Sequence, residues 1–77
     1  MENKQVRSLS AVRAGETVRL ARVEAGRGLN SRLTSMGLVP NVEITVLSNG
    51  HPGPFMISVK NCKMILGRGM AHKIMVR

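Results

Sequence analysis

Apolar and polar residues alternate with a period of two along much of this chain, and glycine, proline or asparagine interrupts the alternation at short intervals. The pattern predicts short strands joined by tight turns. Val18 and Leu20 lead a strand over residues 17–23, in which Arg22 breaks the period and Val23 restores it one residue late, as a β-bulge would. Val42, Ile44 and Val46 define a half-buried strand with Glu43, Thr45 and Leu47 on its other face. Residues 48–54 form a loop rich in turn formers, and Phe55, Ile57 and Val59 begin the return strand of a hairpin. Asn61 suits a left-handed turn before a strand over residues 62–66, and Ile74, Met75 and Val76 close the chain as a last strand.

Three segments depart from this period. Residues 9–12 read as a single turn, after which Ala14-Gly15-Glu16 reverses the chain with Gly15 at positive φ. Leu29, Leu33 and Met36 fall at i, i+4 and i+7, so residues 29–36 predict a short helix with a buried stripe, ended by Gly37 at C′ and by Pro40. Residues 67–73 are too few for a regular helix and read as one tight turn. Five short strands with one inserted helix predict a mainly β domain closed into a small barrel, which removes exposed strand edges. Residues 1–8 are polar and read as a flexible N-terminal segment, leaving residues 9–77 as a single domain.

Composition narrows the function classes. Seventy-seven residues cannot hold a second core, and 12 Lys and Arg against 4 Glu and no Asp leave a formal net charge of +8. Such a charge favours an anionic partner. Phe55 is the only aromatic residue, so the core is expected to come from Val, Ile, Leu and the six Met, and an aromatic platform for single-stranded nucleic acid is ruled out. Cys62 is alone, which excludes an intramolecular disulfide or a CxxC pair and suits a reducing compartment. The sequence shows neither a secretory h-region at its start nor an apolar run long enough to span a bilayer.

Candidate chemistry is sparse. His51, Cys62 and His72 are the nitrogen and sulfur ligands on offer, without HxxxH or CxxC spacing, and the four Glu are scattered. These residues make weak candidates for binding Fe²⁺ or Zn²⁺ and do not compose a metal centre. No Asp is available to orient a base, so catalysis is not expected. Two Gly-Arg-Gly sequences, Gly26-Arg27-Gly28 and Gly67-Arg68-Gly69, could present backbone N–H groups as an anion nest or serve as tight turns with a solvated Arg between. The remaining basic residues are dispersed, and without a recognition helix they offer phosphate contacts only, so no specific nucleic-acid target is expected.

The order of these features resembles the ferrous iron transport protein A (FeoA) family. The resemblance is carried by Leu9 with Gly15-Glu16, by Leu29, Leu33 and Met36-Gly37-Leu38-Val39-Pro40, and by Met64, Leu66-Gly67-Arg68-Gly69-Met70-Ala71, Ile74 and Val76. It implies an SH3-like β-barrel with a short helix, working in the cytoplasm beside FeoB, the membrane GTPase that imports Fe²⁺, and so peripheral to the membrane through that partner. Members of the family are not regarded as enzymes. A similar domain forms the C-terminal part of iron-dependent repressors, so a transition-metal-binding regulatory module is the alternative, with a basic module for nucleic acid as the rival from composition. The family usually has Gly where this chain has Asn41 and Asn61; Asn tolerates the left-handed conformation, so both turns are expected to survive.

The helix supplies the expected contact surface. Its polar side, Asn30, Ser31, Arg32, Thr34 and Ser35, carries one charge, and Arg27, Leu38, Val39 and Arg68 complete the set of candidate partner-binding residues, with Met36 near the helix end claimed both by this surface and, through its i+7 position, by the core.

Overall fold

The computed structural model describes residues 6–24, 26–50 and 53–77, with backbone alone for Arg27 and Leu29. The chain runs through β1 (Arg7–Ser8), a 3₁₀ turn (Leu9–Ala11), β2 (Thr17–Val23), α1 (Arg27–Ser35), β3 (Glu43–Asn49), β4 (Phe55–Val59), β5 (Cys62–Leu66), α2 (Arg68–Lys73) and β6 (Ile74–Val76). All strand pairs are antiparallel, in the spatial order β1-β6-β2-β3-β4-β5.

Strand β2 joins the two halves of this sheet. Its first residues pair with β3, Thr17 opposite Thr45 and Arg19 opposite Glu43, while its later residues turn to β6, Leu20 opposite Val76 and Val23 opposite Ile74. The register shifts between Leu20 and Arg22, where the sequence loses its period. A bulge there bends the strand and lets one segment serve two neighbours. The Leu20 backbone is tied to the segment before β3 by Leu20 N–H to the Val42 carbonyl, 3.0 Å, and Asn41 N–H to the Leu20 carbonyl, 2.8 Å.

The inward positions of the strands and Leu33 of α1 compose one core. Ile44, Val46, Ile57, Ile74 and Val76 are fully buried, and Phe55 joins them. Burying an aliphatic side chain of this kind contributes about 1.5–3 kcal/mol, so this cluster outweighs any surface ion pair. The methionines depart from expectation. Met56, Met64, Met70 and Met75 are half-buried and Met36 is exposed, with Met64 and Met70 packed against the core rather than within it. Branched side chains fill the pleated faces of short strands, leaving the flexible thioethers at the margin.

Three expectations are corrected. Arg7 and Ser8 belong to the fold as β1, opposite Val76 and Met75. Residues 68–73 form a six-residue helix, α2, held by the burial of Ala71 and by the Ser8 hydroxyl, which donates to the His72 carbonyl at 3.0 Å. Ser48 and Asn49 extend β3 rather than open the loop, because a second register shift between Val46 and Ser48 absorbs Leu47. The mainly β, SH3-like barrel fold is as expected, its sheet not strictly closed: β1 and β5 each pair with one neighbour, which leaves an edge at β5 among the described residues. The left-handed turns are as expected, with φ of 94° at Gly15, 72° at Asn41 and 68° at Asn61.

Candidate functional site

Helix α1 ends in a way that decides which of its neighbours face solvent. Gly37 takes φ +93°, the Gly37 N–H reaches the Thr34 carbonyl at 3.0 Å, and the Leu38 N–H reaches back to Leu33 at 2.9 Å. This is the Schellman arrangement, which brings the residue after the glycine against the third residue from the helix end. Leu38 accordingly packs into the core with Leu33, the two being 2% and 0% exposed. Leu38 is therefore withdrawn from the contact surface. Met36 is displaced the other way: at the C-cap it is 42% exposed instead of completing the buried stripe.

What α1 presents is a polar face with an apolar end. Ser31, Arg32, Thr34 and Ser35 are exposed and Asn30 is half-buried, with Met36 exposed and Val39 half-buried at the end of the helix. The Ser35 hydroxyl donates to the Arg32 carbonyl at 2.8 Å, satisfying one of the acceptors left over at the helix end. Met36 supplies apolar area, Arg32 a fork of donors, and the small hydroxyl residues little entropic cost on contact.

The two Gly-Arg-Gly sequences occupy equivalent places. Gly26 and Gly67 are the N-cap residues of α1 and α2, both with φ −68°, and each Arg is the first helical residue. None of the four glycines has positive φ, and a Cβ at any of them would meet nothing within 4 Å. They therefore form helix starts rather than nests or tight turns. The Arg27 side chain lies outside the described residues. Arg68 is not a free cation: its guanidinium donates to the Asn49 carbonyl and, at 3.3 Å, to Asn49 Oδ1, and it lies 5.8 Å from the centre of the Phe55 ring. Gly50, at φ +81°, makes room for it, since a Cβ there would lie 2.6 Å from the Arg68 guanidinium. Asn49 also donates from Nδ2 to the Val12 carbonyl and, at 3.4 Å, to that of Ser10. One amide thus ties β3 to the 3₁₀ turn and to α2, a link that its position in a turn-rich stretch of sequence did not signal.

Charge is unevenly compensated. Glu16 pairs with Arg7 at 3.4 Å, Glu43 with Arg19 at 3.2 Å and Glu24 with Arg22 at 2.8 Å, all at exposed positions. Glu16 is also held below the usual carboxylate range, first by the Arg13 backbone N–H that donates to it at 2.9 Å and then by Arg7. Arg32, Lys60 and Lys63 have no carboxylate within ion-pair distance among the described residues.

Among the described residues no three His, Cys, Asp or Glu side chains converge, and no cavity is present. His72 Nδ1 sits 3.4 Å from the Ser10 hydroxyl, and Cys62 is exposed at the start of β5. His51 lies outside the described residues. No described helix is long and apolar enough to cross a membrane.

A curled antiparallel sheet with a short helix between its second and third strands defines an SH3-like module. A family model, FeoA domain, matches residues 7–77, and the chain belongs to that family. It is 40% identical over 68 residues to "Putative Fe(2+) transport protein A" of Methanocaldococcus jannaschii, covering 88% of this chain and 82% of that protein. Among solved structures, an iron uptake regulatory protein (FeoA) is similar with a TM-score of 0.84 at 34% identity, over 96% of this chain and 97% of the other. A manganese-dependent transcriptional repressor is similar with a TM-score of 0.85 at 25% identity, where 97% of this chain matches 42% of the repressor.

Proposed function

We propose that this chain is a non-catalytic accessory protein of ferrous iron uptake that docks in the cytoplasm on FeoB, the Fe²⁺-importing membrane GTPase, and tunes its assembly or activity. Membership of the FeoA family and the likeness to an Fe(2+) transport protein A support the process. The observation that carries the mode of action is the α1 face, where exposed Met36 lies at the end of a helix side bearing Arg32, Ser31 and Thr34. A half-apolar centre with one forked cation suits a protein surface better than a phosphate backbone.

The test is titration of the purified chain against the cytoplasmic domain of the GTPase at low and moderate salt, with random DNA duplex as competitor. Saturable binding that persists at moderate salt is expected, and Arg32→Glu should weaken it roughly five- to tenfold without changing the fold. Equal binding by Arg32→Glu would move the interface elsewhere, and salt-resistant binding to DNA alone would replace the adaptor reading with a nucleic-acid one.

A further inference from the structure

The sheet ends at β5, and that end is built differently from the rest. The β4–β5 hairpin turns through Lys60 and Asn61, both at positive φ, 52° and 68°, the conformation of a two-residue type I′ turn. Such a turn makes the flanking residues, Val59 and Cys62, a hydrogen-bonded pair. Alternation along the ladder then makes Ile57–Met64 and Phe55–Leu66 bonded pairs, and Ser58–Lys63 and Met56–Ile65 non-bonded ones. The backbone N–H and C=O groups of Lys63 and Ile65 consequently face away from β4, toward the open edge. No backbone partner for them occurs elsewhere among the described residues.

The side chains of the same two residues stand on the outer face. Ile65 is 64% exposed, more than any other large hydrophobic residue described, and lies opposite half-buried Met56. Lys63 is exposed beside it, with exposed Lys60 at the hairpin tip. The described glutamates cannot neutralise these ammonium groups, because Glu16, Glu24 and Glu43 are each engaged by an arginine.

We infer that the β5 edge takes up an extended, acidic segment of a partner protein as an added strand, with a carboxylate beside Lys63 and an apolar side chain beside Ile65. The Lys63 and Ile65 backbones supply the ladder and Ile65 with Met56 the apolar contact. Charge selects the occupant: pairing β5 with β5 of a second copy brings Lys60 and Lys63 of two +8 chains together, whereas an acidic strand relieves that repulsion. This edge lies outside the α1 face, and the inference stands whether or not the GTPase is the partner.

The test uses the full chain, isotopically labelled, with a short synthetic peptide in which glutamate and valine stand two residues apart, threonine between them, so that both side chains fall on one face of the added strand, and the same peptide with lysine in place of glutamate as the lysine–valine control. Binding of the acidic peptide is expected to slow amide exchange at Lys63 and Ile65. Lys63→Glu should weaken it about fivefold or more by reversing the charge pair. Ile65→Pro removes one outward N–H at a position where an edge strand accepts proline, and should abolish the added ladder while the rest of the amide spectrum is retained. Equal affinity for the lysine–valine peptide, protection confined to other strands, or no binding at millimolar peptide would overturn the inference. Protection of the same amides by self-association, without peptide, would give the edge to a second copy instead. Should Ile65→Pro fail to fold, Lys63→Glu and the exchange pattern of the unmodified chain still decide the matter.

Discussion

The two ends of the sheet solve the same problem in opposite ways. At one end β1 is only two residues long and surrounded by polar links: the Ser8 hydroxyl reaches the His72 carbonyl, Asn49 reaches the Ser10 and Val12 carbonyls, and Arg7 pairs with Glu16. At the other, β5 runs for five residues with no strand beyond it among the described residues and with Ile65 in solvent. A strand edge exposes unpaired backbone groups, and a protein either shortens and covers it or keeps it open behind charge. Both devices occur here within one sheet, and the difference marks β5 as the end available to another chain.

The same substitution at the two ends should give opposite results. Val76→Asp, in the strand that β1 pairs with, puts a carboxylate where the side chain is fully buried and should cost several kcal/mol, enough to unfold a domain of this size. Ile65→Asp should stay within about 0.5 kcal/mol. Urea unfolding of both variants checks this, and equal losses would erase the distinction between the ends.

Smaller effects separate the polar links of the β1 end. Asn49→Ala leaves the Val12 and Ser10 carbonyls without their amide donor and removes the Oδ1 contact to Arg68, whose bond to the residue-49 backbone carbonyl remains, and should destabilise by about 1–3 kcal/mol. Gly50→Ala should cost roughly 1–2 kcal/mol, since the added methyl meets a positive φ and displaces Arg68. Loss of near-surface amide protection in the 3₁₀ turn would locate the Asn49 effect at this end; loss along β5 would contradict it.

The smallest effect depends on pH. Because Glu16 has its folded pKa lowered by the Arg13 N–H and by Arg7, its contribution to stability is present above the unfolded value of 4.5 and is lost as pH falls through the lower folded value. Melting temperatures of the parent and Glu16→Gln should therefore differ slightly at neutral pH and converge in acid. A gap that widens on acidification would reverse this sign and remove Glu16 from the β1 end's stabilising set.

Much of the architecture was legible because its cause is local. Period-two alternation placed β2, β4 and the first part of β3, the turn at Asn61 and the segment closing the chain placed β5 and β6, the broken period at Arg22 marked the bend in β2, and Gly37 marked the end of α1. Asn41 and Asn61 kept their left-handed turns where glycine is usual in the family, since an Asn side chain permits that backbone. The candidate surface was half legible. Helical spacing identified Arg32 and its neighbours as exposed, but counting i+7 gave Met36 a claim on the core beside its place at the surface and left Leu38 outside. The glycine that ends α1 decides those two roles, and pairing Leu38 with Leu33 across it was the signal that spacing alone passed over.

The strand periodicity, the turns, the bulge in β2 and the basic balance were determined by the sequence itself, because each depends on φ and ψ preferences or on side-chain type within a few residues. Strand β1, helix α2, the Asn49 link and the open edge at β5 were decided only by tertiary structure. Two residues cannot form a strand without β6 beside them, six residues beginning with Arg-Gly cannot hold a helix without a buried Ala71, and an edge exists only once every other strand has found its neighbours. Those features depend on partners distant in the chain, whose approach costs loop entropy that the shared core must offset before any of them can form.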